Sequence, residues 1–126
     1  MTPITTKNAP FPGGHYSQAI VHNGLVFVSG QLPIDPATGE KKIGSIEEQT
    51  EQTLKNVQSV LEASGSDLNH VLKATVYIAN IDLWGQVNTV YARVFGEHRP
   101  ARAVVPTRDL HHGFLIEIEV IAAQVL

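Results

Sequence analysis

Cysteine is absent from this sequence of 126 residues. Its absence excludes disulfide frameworks, thiolate metal sites and a cysteine nucleophile, and it fits a reducing compartment. The sequence also has no apolar run of the roughly 18 residues that a transmembrane helix needs, and its first residues, MTPITTKNAP, lack the apolar core of a signal peptide. We therefore expect a soluble, cytoplasmic protein without a membrane partner.

Basic residues are also too few to form a strongly positive surface. The chain has 9 Lys and Arg residues against 12 Asp and Glu residues, a net charge of −3, and aromatic residues make up only 6% of it. Proteins that hold phosphate backbones usually carry a basic patch or stripe, so a nucleic-acid partner is unfavoured. A chain of this length that is 43% hydrophobic has enough apolar surface for one core. We expect a single domain over residues 1–126.

The first half of the chain predicts a hairpin and then a helix. Two strand-like runs, 17–21 and 25–30, are joined by Asn23-Gly24, a dipeptide that accepts the positive φ of a tight turn. After a loop rich in Pro and Gly, Ser45 and Glu48 have the spacing of a helix N-terminal capping box. Apolar residues then recur every three or four positions until Gly65, which predicts a helix over roughly 46–64.

The second half predicts three more strands and a second helix. HVLKATVYIANI is rich in β-branched and aromatic residues and indicates a buried strand. Asp82 is a candidate cap for the amphipathic helix that follows it, from Trp84 to Gly96. PARAVVP and FLIEIEVIAAQ are two further strand-like runs, separated by TRDLHHG. The order β-β-α-β-α-β-β predicts an α+β fold, with two helices packed on one face of a sheet.

Charged residues interrupt the last two strand-like runs. Glu117 and Glu119 share one face of the final strand with aliphatic residues, whereas the opposite face is wholly apolar. If TRDLHHG closes a hairpin, Arg102 pairs opposite Glu117 on the same helix-free face. The apolar neighbours expected on that face are Val104, Leu115 and Ile121. A polar pocket within a surface covered by another subunit is then expected.

These side chains suit the binding of a small acid, although their spacing alone favours a structural ion pair between Arg102 and Glu117. Arg102 can hold a carboxylate through two parallel hydrogen bonds, and Glu117 can activate a water molecule. Three further residues could hydrogen-bond a small polar ligand: Tyr16, Ser29 and Asn88. The pair His111-His112 belongs to no H-E-x-x-H or Cys/His pattern, so a metal site is unfavoured. No G-x-S-x-G motif surrounds Ser29.

Six motifs in register resemble the RidA/YjgF family of reactive-intermediate deaminases. They are GHYSQA, FVSGQLPIDPATGE, QTEQTLKNVQSVLEASG, VNTVYARVF, PAR and IEIEVIA, and together they span nearly the whole chain. The resemblance implies a chorismate-mutase-like α+β fold and a homotrimer with sites between subunits. It also implies hydrolysis of 2-imino or enamine acids, released by pyridoxal-phosphate enzymes, to 2-keto acids and ammonia.

The same resemblance assigns roles to individual residues. Arg102 matches the carboxylate-binding arginine and Glu117 matches the water-positioning glutamate. The other pocket residues matched are Tyr16, Ser29 and Asn88. Val104 stands where many relatives have a pocket cysteine, and His15 stands where many have a proline, so the substrate preference is left open. Imines react readily with water, and the residues present suffice without a metal or organic cofactor.

Two other functions are compatible with the same residues. A small-acid sensor or binding module would use Arg102 without turnover, and catalysis separates it from an imine hydrolase. The ribonuclease or translation-inhibitor activity attached to some relatives is disfavoured by the acidic balance of the chain and by the absence of a basic and aromatic stripe.

Overall fold

The computed structural model describes residues 1–125, within which the chain forms six strands and two α-helices. The strands are β1 (Thr2–Ile4), β2 (Ala19–His22), β3 (Leu25–Gln31), β4 (Val71–Ile78), β5 (Ala101–Pro106) and β6 (Ile116–Ala123). The helices are α1 (Ile46–Ala63) and α2 (Trp84–Phe95). Short 3₁₀ turns at Leu68–His70, Ile81–Leu83 and His111–Gly113 connect them.

All the strands join one mixed sheet in the order β1-β2-β3-β6-β4-β5. Neighbouring strands are antiparallel, except that β4 and β5 are parallel. The predicted α+β fold is confirmed, and so is the hairpin, in which Asn23 and Gly24 have φ values of 52° and 76°. Strand β1 was not predicted, because three residues are too few to show a periodic pattern.

The predicted pairing of Arg102 with Glu117 is wrong. Strand β5 does not form a hairpin with β6, because β4 lies between them and pairs with both. Arg102 is therefore opposite Ala74, a fully buried residue on the helix-covered face, and Glu117 is opposite Tyr77 on the other face. Val104, which pairs with the buried Val76, also lies on the helix-covered face.

Helix α1 begins at a polar side-chain cap, whereas the N-cap of α2 is Leu83, which makes no side-chain cap hydrogen bond. The Ser45 hydroxyl accepts a hydrogen bond from the Glu48 amide at 3.1 Å, and Gly65 has the positive φ predicted after α1. The cap predicted at Asp82 is wrong, because the Asn80 side chain accepts the Asp82 amide at 2.8 Å and begins the 3₁₀ turn that leads into α2. That turn begins at Ile81, three residues before the predicted helix start at Trp84.

The apolar core lies between the two helices and one face of the sheet. Val57 and Leu61 of α1, together with Ile116 and Ile118 of β6, are completely buried there. The opposite face of the sheet carries the more exposed side chains, including Phe27 at 42% exposure. Over residues 1–125, neither helix combines the length and the apolar character needed to span a bilayer.

Candidate active site

Glu117 projects from β6 into a cavity of about 720 Å³ on the helix-free side. Strand β3 bulges opposite this part of β6, because Ser29 and Gly30 occupy the interval between the pairs Val28↔Val120 and Gln31↔Ile118. The Glu117 carboxylate lies directly over Gly30, where a methyl group would collide with it. Because β3 bulges and Gly30 has no side chain, the Glu117 carboxylate can lie against the Gly30 backbone and reach the open cavity.

The electrostatic surroundings make Glu117 easier to protonate than an exposed glutamate. Burial raises the pKa of its carboxyl above the ordinary value, and repulsion from Glu119 raises it further. The positive charge of His111 acts in the opposite direction on the same pKa. Glu119 itself accepts a hydrogen bond from the Tyr77 hydroxyl at 2.9 Å. A carboxyl in this setting exchanges a proton at higher pH than an exposed glutamate does.

Ser29 and Tyr16 line the same cavity as Glu117. The Ser29 hydroxyl donates to the Ser17 carbonyl at 2.6 Å, so its oxygen is available to accept a hydrogen bond from a ligand. The Tyr16 ring is 52% exposed, and its hydroxyl accepts the Gly13 amide at 3.3 Å. Of the predicted site residues, these two are the ones that the fold brings together with Glu117.

Buried amide side chains hold the loops that surround this cavity. Gln18, which is 1% exposed, donates to the carbonyls of Thr6, Ala9 and Pro10 and accepts the Thr6 amide at 2.6 Å. Asn56 of α1 donates to the carbonyls of Leu32 and Ile34 at 2.9 and 2.8 Å. Sequence reasoning did not select these residues, because glutamine and asparagine in an isolated sequence do not reveal which loop they contact.

His111 and His112 also line the Glu117 cavity. Sequence reasoning weighed them only as metal ligands. Their proximity to Glu117 arises because the turn His111–Gly113 leads directly into β6. The short distance in sequence between this pair and Glu117 was the one signal that could have indicated a shared cavity.

Arg102 lies at a different cavity, of about 490 Å³, between β5 and α2. Its Nη1 donates to the Asn88 side-chain oxygen at 2.9 Å. The guanidinium carbon lies 4.8 Å from the centre of the Tyr91 ring and 5.6 Å from that of Trp84. These contacts fix the side chain and leave further N–H groups of the guanidinium available for a carboxylate.

The predicted site residues thus form two groups in a single chain. Glu117, Ser29 and Tyr16 line one cavity, whereas Arg102 and Asn88 line the other. Val104 lies next but one to Arg102 on β5, on the same face of the strand, and is partly buried against the core. One chain therefore has two separate clusters of candidate residues, called half-sites below, one with the cation and the other with the carboxyl.

Similar proteins share both the sequence and the fold. Residues 6–124 match the family model described as Endoribonuclease L-PSP. The chain is 50% identical to a RutC family protein from Pyrococcus horikoshii, with 94% of each chain covered. It is 41% identical to the 2-iminobutanoate/2-iminopropanoate deaminase of Rattus norvegicus, over 96% of this chain and 88% of the rat protein.

A solved structure with a similar sequence has the same fold as this chain. E. coli TdcF with bound serine is 33% identical, covers 99% of this chain and 100% of its own, and has a TM-score of 0.94. The mixed sheet, the two helices and the matched length are thus shared with proteins of one family. This chain belongs to the RidA/YjgF family, the family that the Endoribonuclease L-PSP model describes.

Proposed function

We propose that this protein hydrolyses reactive 2-imino and enamine acids, such as 2-aminoacrylate, to 2-keto acids and ammonia. The observation that carries the proposal is the partly buried Glu117 carboxyl with a raised pKa, which lies over Gly30 and shares a cavity with the Ser29 hydroxyl. A carboxyl of this kind can take a proton from an attacking water molecule. The deaminase activity named for the rat relative supports the same chemistry.

Arg102 supplies the second requirement of the reaction, which is recognition of the substrate carboxylate. Asn88 and the two aromatic rings hold the guanidinium in place before a ligand arrives. Its remaining N–H groups can form two parallel hydrogen bonds to one carboxylate. The substrate would then present its imine carbon to the water at Glu117 and its imine N–H to the Ser29 oxygen.

The reaction requires the two half-sites to meet, and we propose that a neighbouring copy completes each pocket in a homotrimer. Within one chain, Arg102 and Glu117 line different cavities on opposite faces of the sheet. A second copy that places its Arg102 against the first copy's Glu117 would assemble the full set. Val104, two residues from Arg102, would then lie near the substrate and present a methyl surface to it.

A coupled assay tests the activity. A pyridoxal-phosphate enzyme generates 2-aminoacrylate, and release of the keto acid and ammonia is measured with and without this protein. We expect faster release with the wild-type protein and none above background with Arg102→Ala, while Arg102→Lys recovers only a little because an ammonium lacks the planar fork. The matched control is Arg93→Ala, which removes an exposed arginine paired with Glu51 at 3.6 Å. Unchanged rates with wild-type protein across several precursors would overturn the proposal.

A binding module without turnover is the second candidate, and the serine bound in E. coli TdcF favours it. Both candidates predict that a small carboxylate binds at Arg102. Calorimetric binding of a keto acid together with unchanged imine lifetime would select the binding module. Binding together with accelerated hydrolysis would select the hydrolase.

A further inference from the structure

The proposed hydrolysis has a gap in its proton transfers. Attack of water on an imine carbon releases one proton and requires another at the imine nitrogen. Glu117 can take the first, but Arg102 does not give up a proton in proteins, and the Ser29 proton is engaged by the Ser17 carbonyl. A second titratable group in the same cavity would supply the proton at nitrogen while Glu117 takes the proton from water, and this inference rests on the proposed function.

His111 is the side chain in position to fill this gap. Its imidazole lines the cavity that contains Glu117 and Ser29, and it is exposed there, so a ligand can reach it. Histidine side chains change charge between about pH 5 and 8, so they both donate and accept protons under physiological conditions. A proton on His111 lowers the pKa of the Glu117 carboxyl, so the two side chains are electrostatically coupled.

A short stack of rings holds His111 in place. The centre of its ring lies 4.1 Å from that of His112 in an edge-to-face arrangement, and His112 packs edge-to-face on Phe114 at 5.7 Å. Phe114 is 1% exposed, so it anchors the stack in the core. The backbone contributes as well, because His112 has a left-handed φ of 57° within a tight turn closed by the Phe114 amide and the His111 carbonyl.

The surroundings of His112 make it the less suitable proton donor of the two histidines. Burial, a charge on His111 and the charge of Lys41 all lower the pKa of the His112 ring. The acidic residue that lines the cavity is Glu117, whereas Glu119, which accepts a hydrogen bond from Tyr77, lies beyond it on the same strand and lines a different cavity. We therefore assign the proton transfer to His111.

We propose that His111 is the acid partner of Glu117 in imine hydrolysis. Water forms a bond from oxygen to the imine carbon and gives its proton to the Glu117 carboxylate, while the His111 imidazolium gives a proton to the imine nitrogen. The resulting amino alcohol then loses ammonia as the carbon–nitrogen bond breaks. The protonated Glu117 supplies the proton for that nitrogen, and neutral His111 takes the hydroxyl proton as the carbonyl forms. Both residues return to their starting states.

The pH dependence of turnover tests this assignment. The starting state requires ionised Glu117 and protonated His111, so wild-type kcat/KM should fall at both low and high pH. In His111→Asn we expect a loss of roughly 10²-fold near neutral pH and disappearance of the alkaline fall. His112→Asn should keep the alkaline fall. His22→Asn, an exposed histidine at the end of β2, is the matched control and should match the wild type.

Chemical rescue makes the result decisive. Added imidazole should restore turnover to His111→Ala, because the exposed position leaves room for a free ring. A His111→Asn profile parallel to that of active wild-type protein, or no rescue by imidazole, would overturn the inference and leave the hydrolase intact. Wild-type protein without turnover would instead overturn both proposals.

Discussion

The chemistry of Glu117 depends on the residues around it, one of which, Gly30, has no side chain. Glu117 reaches open space because the residue beneath it is Gly30, and its pKa rises because the sheet and Glu119 surround it. The motif IEIE indicated that this carboxylate was of interest, but it gave no sign of the bulge at Ser29-Gly30. His111 was considered from the sequence only as an unfavoured metal ligand, because the role proposed for it depends on a cavity that the sequence does not show.

The role proposed for Glu117 as a proton acceptor predicts the behaviour of its closest isostere. Glu117→Gln keeps the shape and most hydrogen-bonding capacity, but it cannot take a proton from water. We expect turnover to fall by roughly 10²–10⁴-fold while keto-acid affinity stays close to wild type. Steady-state kinetics on one imine and calorimetry with the corresponding keto acid measure the two effects. A loss of affinity with near-normal turnover would mean that Glu117 only orients the ligand.

At the scale of elements, local patterns predicted the strands and helices better than their pairing. Hydrophobic periodicity and the Ser45 cap located α1, and Asn23-Gly24 located the first hairpin. The parallel pairing of β4 and β5 was missed because two strands close in sequence, β5 and β6, were assumed to be neighbours. A strand, a helix and a strand in succession usually form a parallel pair with the helix as crossover, which is the arrangement of β4, α2 and β5.

The Ser45 cap makes a measurable contribution to α1. In Ser45→Ala the Glu48 amide loses its side-chain acceptor, so we expect the free energy of unfolding to fall by about 1 kcal/mol. Ser59→Ala is the matched control, because it removes a hydroxyl from the middle of the same helix and introduces the better helix former. Chemical denaturation of both variants measures the difference, and equal stabilities would remove the cap from the account of α1.

At the scale of the whole molecule, the arrangement of half-sites makes assembly part of the proposed chemistry. The sequence resemblance implied a homotrimer, and the positions of Arg102 and Glu117 on opposite faces of one sheet give a physical reason for one. Sequence alone could not show that Arg102 and Glu117 lie on opposite faces of the sheet, because that depends on which strand lies between β5 and β6.

Mixed trimers provide a direct test of shared sites. Arg102→Ala and Glu117→Gln should each be inactive, but after the two are unfolded and refolded together, some pockets combine an intact Arg102 from one copy with an intact Glu117 from another. Random assembly of equal amounts predicts that about a quarter of wild-type activity returns. Light scattering should give three chains for every sample.

The matched control mixes two variants of the same half-site. Glu117→Gln and Ser29→Ala alter the same cavity, so no mixed pocket contains an intact version of it. That mixture should stay as inactive as its components. Recovery in the control, or no recovery in the first mixture despite exchange of subunits, would contradict a pocket shared between copies.

The central position of β6 has a consequence for how the chain folds during synthesis. Strands β1 to β3 form one part of the sheet and β4 with β5 forms the other, and β6, which follows all of them in sequence, is the strand that pairs with both. A ribosome delivers the two parts first, each with an open edge that exposes backbone hydrogen-bonding groups. The strand that joins them also carries Glu117, so the proposed site gains its carboxyl in the same event that closes the sheet.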